Sequence, residues 1–316
     1  MFDATIIIPA YNAEKWICGA IESALGQNGV DVEVVVVDDG SSDRTLDLIR
    51  RFEPQIRWES SPNLGAPSAR NRGLALATTP WVSFLDADDY LRPQKIKDQL
   101  SQLSTASDID VIYGPVTIEW HSKNGVRTQV HQTSMPDDPW ASLALWELPQ
   151  TGSPLFRRQA LIDIGGWKED QPCCQEHDLY LRLLMAGKMF HHSGTNGAVY
   201  RRFETGTLST SNIARVWRER LKIEARLERH LNERDMITPL RQWAINQARF
   251  EIARSAWSQE RHIALRAHQA ITQSGAAFAP RGNAGPVAYR ALYRVFGFSF
   301  AQKVAEATRS LRNVLA

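Results

Sequence analysis

Residues 34–37 are four consecutive valines, and Asp38, Asp39 and Gly40 follow at once. A strand with one wet face alternates apolar and polar residues. An unbroken β-branched run instead needs cover on both faces, as in the interior of a parallel sheet. Parallel strands cannot be joined by tight turns and need crossovers of a dozen or more residues, usually helices. The first hundred residues supply them. Strands predicted at 5–8, 32–37, 56–59 and 81–85 alternate with helices predicted at 13–27, 42–51, 67–77 and 94–103, the second capped by Ser41 or Ser42. The pattern is a series of βαβ units, and in open α/β sheets ligands sit at the carboxyl ends of the strands.

From about residue 108 the rhythm changes. Residues 111–120 and 126–131 read as the arms of a hairpin turning at Lys123, Asn124 and Gly125. Helices are predicted at 140–146 and at 177–186, the latter with Leu179, Leu183 and Leu184 on one side. After Ser211 only helical patterns remain, at 213–231, 239–257 and 261–273, with two more beyond a Gly/Pro break at 279–286. The expected organisation is an α/β domain over 1–211, in halves 1–107 and 108–211, followed by a helical basic region over 212–316.

Charge divides along the same line. The formal net charge of +2 is −8 over residues 1–213 and +10 over 214–316. Such a tail suits anionic lipid headgroups, the chain's own acidic domain, or Arg-rich helix faces that are simply solvated, and the sequence leaves all three open. No run approaches the roughly 18 apolar residues of a membrane-spanning helix. Residues 5–9 are apolar but give way at once to Asn12 and Glu14, a first strand rather than an export signal, so a cytoplasmic protein is expected. Three cysteines, Cys18, Cys173 and Cys174, imply no disulfide framework, and the pair beside His177 fits no zinc spacing.

Four polar clusters follow the predicted strands: Pro9-Ala10-Tyr11-Asn12; Asp38-Asp39-Gly40-Ser41-Ser42-Asp43; Asn63-Leu64-Gly65 leading to Ala69-Arg70-Asn71; and Asp86-Ala87-Asp88-Asp89. Acidic residues after a strand often only cap the next helix, and for Asp43 that reading stands level with a functional one. The fourth cluster resists it. Three carboxylates within four residues repel one another unless a cation or hydrogen-bond donors neutralise them. Mg²⁺ typically takes one or two carboxylates together with substrate phosphates.

In order and spacing these four clusters closely resemble the family 2 glycosyltransferases, over about residues 3–210. The resemblance implies a GT-A fold, a three-layer αβα nucleotide-binding domain with a mostly parallel sheet, to which this chain adds a helical C-terminal extension. It also implies a nucleotide-sugar donor, Mn²⁺ or Mg²⁺, and inversion at the anomeric carbon. Carried over by position, Pro9, Ala10, Tyr11 and Asn12 line the donor pocket, with Tyr11 stacking on the base and Asp39 accepting from it. Gly65, Ala87 and Arg70 belong to the same pocket, Arg70 approaching the diphosphate or the base. Asp86 and Asp88 occupy the acidic positions of the Asp-X-Asp motif, Asp88 nearer to metal contact, and Asp89 orients the donor sugar. On the acceptor side, Thr151-Gly152-Ser153 and Ile164-Gly165-Gly166-Trp167 precede Gln175-Glu176-His177-Asp178. Many relatives read Glu-Asp-X-Asp there. The alignment makes Glu176 the general base, with Asp178 as its competitor, whose alternative role is to cap the helix.

Two departures accompany the resemblance. Where many relatives carry a His after a basic pair, this chain has Phe203 after Arg201-Arg202, so Arg202, Arg201 or Ser209 is left to meet the phosphates. The Gln-X-X-Arg-Trp motif of processive synthases is missing. The implied partners are a nucleotide-sugar donor, UDP-linked above all, and a glycan or lipid-linked acceptor. Peripheral membrane contact through the basic helices and a homodimer remain open, and no nucleic acid is expected. Trp140, Trp146 and Trp167 either stack on acceptor sugars or pack in the core. His191-His192 reads as a strand-edge pair, and Tyr289, Leu292, Tyr293, Phe296, Phe298 and Phe300 as an apolar face suited to a membrane surface. Two rival functions stay in view. A nucleotidyltransferase would need a Gly-rich phosphate loop where this chain has Pro9-Ala10-Tyr11-Asn12, and a nucleotide-sugar-binding scaffold would bind donor without turnover.

Overall fold

The valine run is the second strand of a seven-stranded sheet, covered on both faces. The computed structural model describes residues 2–104, 108–135, 137–203, 212–282 and 285–315. The chain forms two units, Met1–Leu143 with Glu147–Leu208, and Ala144–Trp146 with Ser209–Ala316.

The first unit opens with β1 (Ala4–Ala10), α1 (Ile17–Leu25), β2 (Val32–Asp38), α2 (Thr45–Arg50), β3 (Arg57–Ser60), α3 (Ala66–Leu76) and β4 (Trp81–Phe84). It continues through β5 (Tyr90–Leu91), α4 (Lys95–Ser101), β6 (Val111–Tyr113), β7 (Val116–Ser122), β8 (Gly125–His131) and α5 (Pro139–Ala144). Then come β9 (Leu155–Arg157), α6 (Arg158–Asp163), α7 (Gln175–Met185), β10 (Phe190–His192) and β11 (Ala198–Phe203). The main sheet runs β10-β6-β9-β4-β1-β2-β3, parallel except where β9 lies antiparallel between β4 and β6. Ile6, Ile8, Val34 and Val36 share a core cluster with Ile17, Ala20, Ile21 and Ala24 of α1. On the opposite face Ile7 meets Gly73 of α3 so closely that an added Cβ would lie 2.2 Å from its Cγ2. Alternate residues of the run thus serve two helical layers, the three-layer arrangement predicted from it.

Two sequence expectations give way. The segment 111–120 is not one strand but two: β6 joins the main sheet, while β7 joins β5, β11 and β8 in a separate four-stranded sheet. The break falls at Gly114-Pro115. A Cβ on Gly114 would lie 2.3 Å from the Thr195 carbonyl oxygen, so only glycine passes that point. The hairpin itself forms between β7 and β8, with Ser122 facing Gly125 across Lys123 and Asn124. Nor do Ser41 and Ser42 cap α2. Asp43 accepts from the Thr45 amide at 2.9 Å, because Asn12 has already engaged both serines. His191 and His192 lie in β10 at the edge of the main sheet, as read.

The second unit holds α8 (Ile213–Glu233), α9 (Pro239–Ala256), α10 (Arg261–Gln273) and α11 (Val287–Leu315). Asn212 and Thr238 cap α8 and α9 by accepting from the amides three residues on. Within α11, Gly297 takes φ 77° and ψ 178°, which splits the element into the two helices expected there. Its apolar face divides as well. Tyr289 and Phe298 join a core with Phe250, Trp257, Ile263 and Ile271, while Phe296 and Phe300 stay exposed. Several arginines of this basic unit lie over aromatic rings: Arg220 on Trp146, Arg254 on Tyr289, Arg261 on Trp257. Among the described residues no helix is long and apolar enough to cross a membrane, and the three cysteines are free.

Candidate active site

The strand ends of the first unit converge as predicted, though several residues have different partners from those expected. Pro9 and Ala10 are buried inside β1, so of the first cluster only Tyr11, 49% exposed, and Asn12 face outward. Asn12, at φ 49°, clips the first loop to the second: its Oδ1 accepts from the Ser42 amide at 2.9 Å and its own amide donates to Ser41 Oγ. Asp39 is 3% exposed, and its two carboxylate oxygens accept from the amides of Leu64 and Gly65 at 2.9 and 2.8 Å. Gly65 reaches that position with φ 93°. The second and third clusters are therefore bolted together through Asp39.

Arg70 is the pivot. It projects from α3 and is 4% exposed. Its guanidinium donates to Asp86 Oδ1 at 2.7 Å and to Gln175 Oε1 at 3.1 Å, and lies 4.5 Å from the centre of the Trp167 ring. Burial disfavours its charge, but Asp86 and then Glu176 outweigh burial and hold it protonated. The neighbouring Asn71 grips Trp167 by both backbone groups, accepting from its amide at 2.7 Å and donating to its carbonyl at 2.8 Å. A Cβ on Gly166 would lie 2.5 Å from Asn71 Oδ1, which accounts for the glycine there. Trp167 is 2% exposed and Trp140 7%, so both are core residues rather than sugar platforms, while Trp146 belongs to the second unit.

The acidic cluster follows β4. Asp86 keeps 27% of its side chain exposed, whereas Asp89 is 3% exposed and accepts from the Arg201 amide at 2.8 Å. Asp89 is thus pinned to β11. Burial, with Asp86 beside it, raises the Asp88 carboxyl above the ordinary range. Burial, then Asp86 and Asp88, push Asp89 well above it. The repulsion anticipated from the sequence is therefore present in space. Arg201, whose role the motif reading left open, donates from Nε to the Asp88 carbonyl and sits among the rings of Trp16, Tyr90 and Phe203. Phe203 stacks on Trp16 at 4.2 Å and lies 5.0 Å from His121, its register partner on β7. Arg202 is exposed on the other face of β11, over Tyr200. Ser209 lies outside the described residues.

The two candidate bases separate sharply. Glu176, in the first turn of α7, is half-buried and accepts from Thr151 Oγ1 at 2.8 Å. Beneath it Tyr180 is fully buried, its hydroxyl donating to the Pro149 carbonyl; burial, then Glu176, raise that hydroxyl well above its ordinary value. Asp178 is 0% exposed and bound to Arg182 Nε at 2.7 Å. An i,i+4 ion pair inside the core thus engages one of its carboxylate oxygens.

Thr151, Gln175 and Arg201 complete the site; the motif segments contain all three but give Thr151 and Gln175 no role and leave Arg201 as one of three candidates for the phosphates. Among the described residues no three His, Cys, Asp or Glu side chains converge as a ready-made metal cage. The donor set nonetheless suits a cation shared with a phosphate ligand. Asp86 and Asp88 supply hard oxygens, and their crowding is what such a charge would relieve.

Comparison with known proteins bears on this geometry. The sequence profile described as Glycosyl transferase family 2 matches residues 5–164. An uncharacterized glycosyltransferase of Nostoc sp. is 32% identical over 178 residues, covering 52% of this chain and 55% of that protein. The succinoglycan biosynthesis protein ExoO of Rhizobium meliloti is 42% identical over 106 residues, 33% of this chain and 30% of that one. The chain thus spans about half, or less, of the length of these relatives. Among solved structures, S. aureus TarS 1-349 in complex with UDP-GlcNAc superposes with a TM-score of 0.68 at 18% identity, over 98% of this chain and 92% of that one. The mannosyltransferase PcManGT from Pyrobaculum calidifontis, in complex with GDP-Man and Mn²⁺, gives 0.52 at 18% identity, over 98% and 89%. At such identities the likeness speaks for the fold.

Proposed function

Because the chain belongs to glycosyl transferase family 2, we propose that it moves a sugar from a UDP-sugar to a glycan or lipid-linked acceptor with inversion, using Glu176 as general base and a divalent metal at Asp86 and Asp88. The observation that carries this reading is the bridge made by Arg70. One buried guanidinium joins Asp86, at the end of β4, to Gln175 at the start of α7, and feels the charge of Glu176 next to it. A donor-side carboxylate and a candidate base are thereby held in one rigid frame. UDP-GlcNAc in TarS, and GDP-Man with Mn²⁺ in PcManGT, support a nucleotide-sugar donor and a divalent ion for this fold. The role of ExoO in succinoglycan biosynthesis supports a glycan acceptor.

The chemistry asks for a single displacement. The acceptor oxygen attacks the anomeric carbon as the bond from that carbon to the diphosphate oxygen breaks, through an oxocarbenium-like state. Glu176 takes the acceptor proton; Thr151 occupies Oε1, so Oε2 is the oxygen left for it. Asp86 and Asp88 would hold Mn²⁺ or Mg²⁺, which offsets charge gathering on the leaving diphosphate. Arg70 fixes Asp86, Arg201 fixes the Asp88 backbone, and Arg202, exposed over Tyr200, is the cation left to meet the phosphates. Tyr11 is the exposed ring available to the base. Asp39 orders the Leu64–Gly65 turn that borders the same pocket, and any contact it makes with the base adds to that task. On this reading residues 1–107 serve the donor and 108–211 the acceptor, and the reaction is non-processive.

Calorimetric titration tests the donor half. Nucleotide diphosphates and nucleotide sugars are added with and without Mn²⁺ or Mg²⁺ to the wild type and to Asp88→Ala. Metal-dependent binding of one nucleotide, lost in the variant, is the expected result. Binding of none under either condition would sink the donor-site assignment, and binding without turnover on any acceptor would favour a scaffold.

A further inference from the structure

The helical unit carries a second concave site. A cavity of about 800 Å³ opens between α8 and α10, over α9. That volume lies within the range of small-molecule and oligosaccharide pockets. Short connections make α8 and α9, and α9 and α10, antiparallel neighbours, so α8 and α10 run the same way. The side-chain bonds agree: Gln242 and Arg249 of α9 both donate to Glu228 of α8, and Asn246 of α9 donates to Ser274 just past α10.

This arrangement sorts the lining chemically. Toward the N-terminal halves of both helices the lining is basic: Arg218 and Lys222 on α8, His262 and Arg266 on α10. Residues four apart share a helix face, so each pair is stacked one turn above the other. Lys222 is paired with Glu219, and His262 with Glu260. Arg218 and Arg266 are exposed, and neither has an ion-pair partner among the described residues. At the far end the lining changes to amides and a hydroxyl: Asn232, Gln242, Gln269, Gln273 and Ser274. Leu221 and Ile263 stand as apolar liners among the basic residues, and the one acidic liner, Glu228, is neutralised by Arg249, which is 3% exposed and bound at 2.6 Å.

We propose that this groove binds an acidic saccharide, its phosphate or carboxylate held by Arg218 and Arg266 and its hydroxyls by the amide-lined end. The chemistry argues for a sugar over a bare anion, because amides and hydroxyls donate to and accept from hydroxyl groups, and a bare anion uses only donors. Concavity argues against a membrane, which offers a plane of headgroups. A transferase that extends or decorates a polymer gains effective concentration from a second hold on it. That use rests on the transferase reading, whereas the binding itself does not.

The test is binding by the full-length chain. The probes are a galacturonate hexamer against maltohexaose, glucose 6-phosphate against glucose, inorganic phosphate alone, and vesicles of phosphatidylglycerol and phosphatidylcholine. Expected is a preference of about tenfold or more for at least one acidic sugar over its neutral counterpart. That preference disappears in Arg218→Glu/Arg266→Glu, while Asn232→Ala/Gln273→Ala weakens the sugar but not inorganic phosphate. Arg218→Gln/Arg266→Gln stands in if charge reversal disturbs helicity. Equal binding of acidic and neutral sugars, phosphate binding as tight as that of glucose 6-phosphate, or binding to vesicles alone would each overturn the proposal. Glu176→Gln is titrated in parallel: the transferase reading expects it to lose transfer, while sugar binding here should persist in either case, so failure of that reading and failure of this one are told apart.

Discussion

Glu176 and Asp178 lie two residues apart, and the structure predicts opposite consequences for neutralising them. In Glu176→Gln the amide oxygen still accepts from Thr151, 2.8 Å from Oε1, and the half-buried position tolerates the isostere. Folding should therefore change by less than about 1 kcal/mol. Turnover should not survive. Loss of a general base typically removes a factor of about 10² to 10⁴, or roughly 3–5 kcal/mol of transition-state stabilisation. In Asp178→Asn the change falls on a side chain that is 0% exposed and bound to Arg182 at 2.7 Å. Removing one partner of a buried pair costs about 3–5 kcal/mol. For a unit of this size that is a drop in Tm of roughly 6–20 °C. The assay pairs nucleotide release from the donor identified by calorimetry with thermal unfolding of the same preparations. Glu176→Gln should bind donor as wild type does, melt as wild type does, and release little nucleotide. The reasoning is refuted if Asp178→Asn melts normally and is inactive while Glu176→Gln turns over.

Arg70→Met should lower stability by roughly 3 kcal/mol, the low end for a broken buried pair because Asp86 is 27% exposed, and should weaken donor binding; an unchanged urea midpoint would contradict the pivot role. Two buried groups set opposite pH slopes. Burial lowers Lys95 from 10.5 to about 7, so between these values the unfolded chain binds a proton that the folded chain does not, and stability rises with pH by at most about 1.4 kcal/mol per unit. Burial raises Glu224 from 4.5 to about 7, so the folded chain holds the extra proton in that window and stability falls as pH rises. Urea unfolding across pH should lose the upper slope in Lys95→Met and the lower one in Glu224→Gln. Gly73→Ala should destabilise by about 1–2 kcal/mol: helix propensity favours it by about 1, but its Cβ would lie 2.2 Å from Ile7 Cγ2. A gain in urea midpoint would mean that Ile7 yields.

The layered fold was legible because burial on both faces leaves its mark on local composition. Four valines in a row, set among helical patterns, leave few arrangements other than a covered parallel sheet, and sheet topology then brings the strand-end clusters to one edge. The split of 111–120 was hidden. Periodicity reports that a residue is apolar, not which sheet takes it, and the steric limit at Gly114 comes from Thr195, far away in sequence. The same holds at the site. Motif spacing singled out Asp39, Arg70, Asp89 and the pair Glu176 and Asp178, yet their hydrogen-bond partners lie up to 112 residues distant. A carboxylate's reach depends on which donors have already claimed it and how much water remains around it. Spacing along the chain fixes neither quantity, and only the packed structure shows Asp178 sealed against Arg182 while Glu176 accepts from Thr151 and stays half-buried.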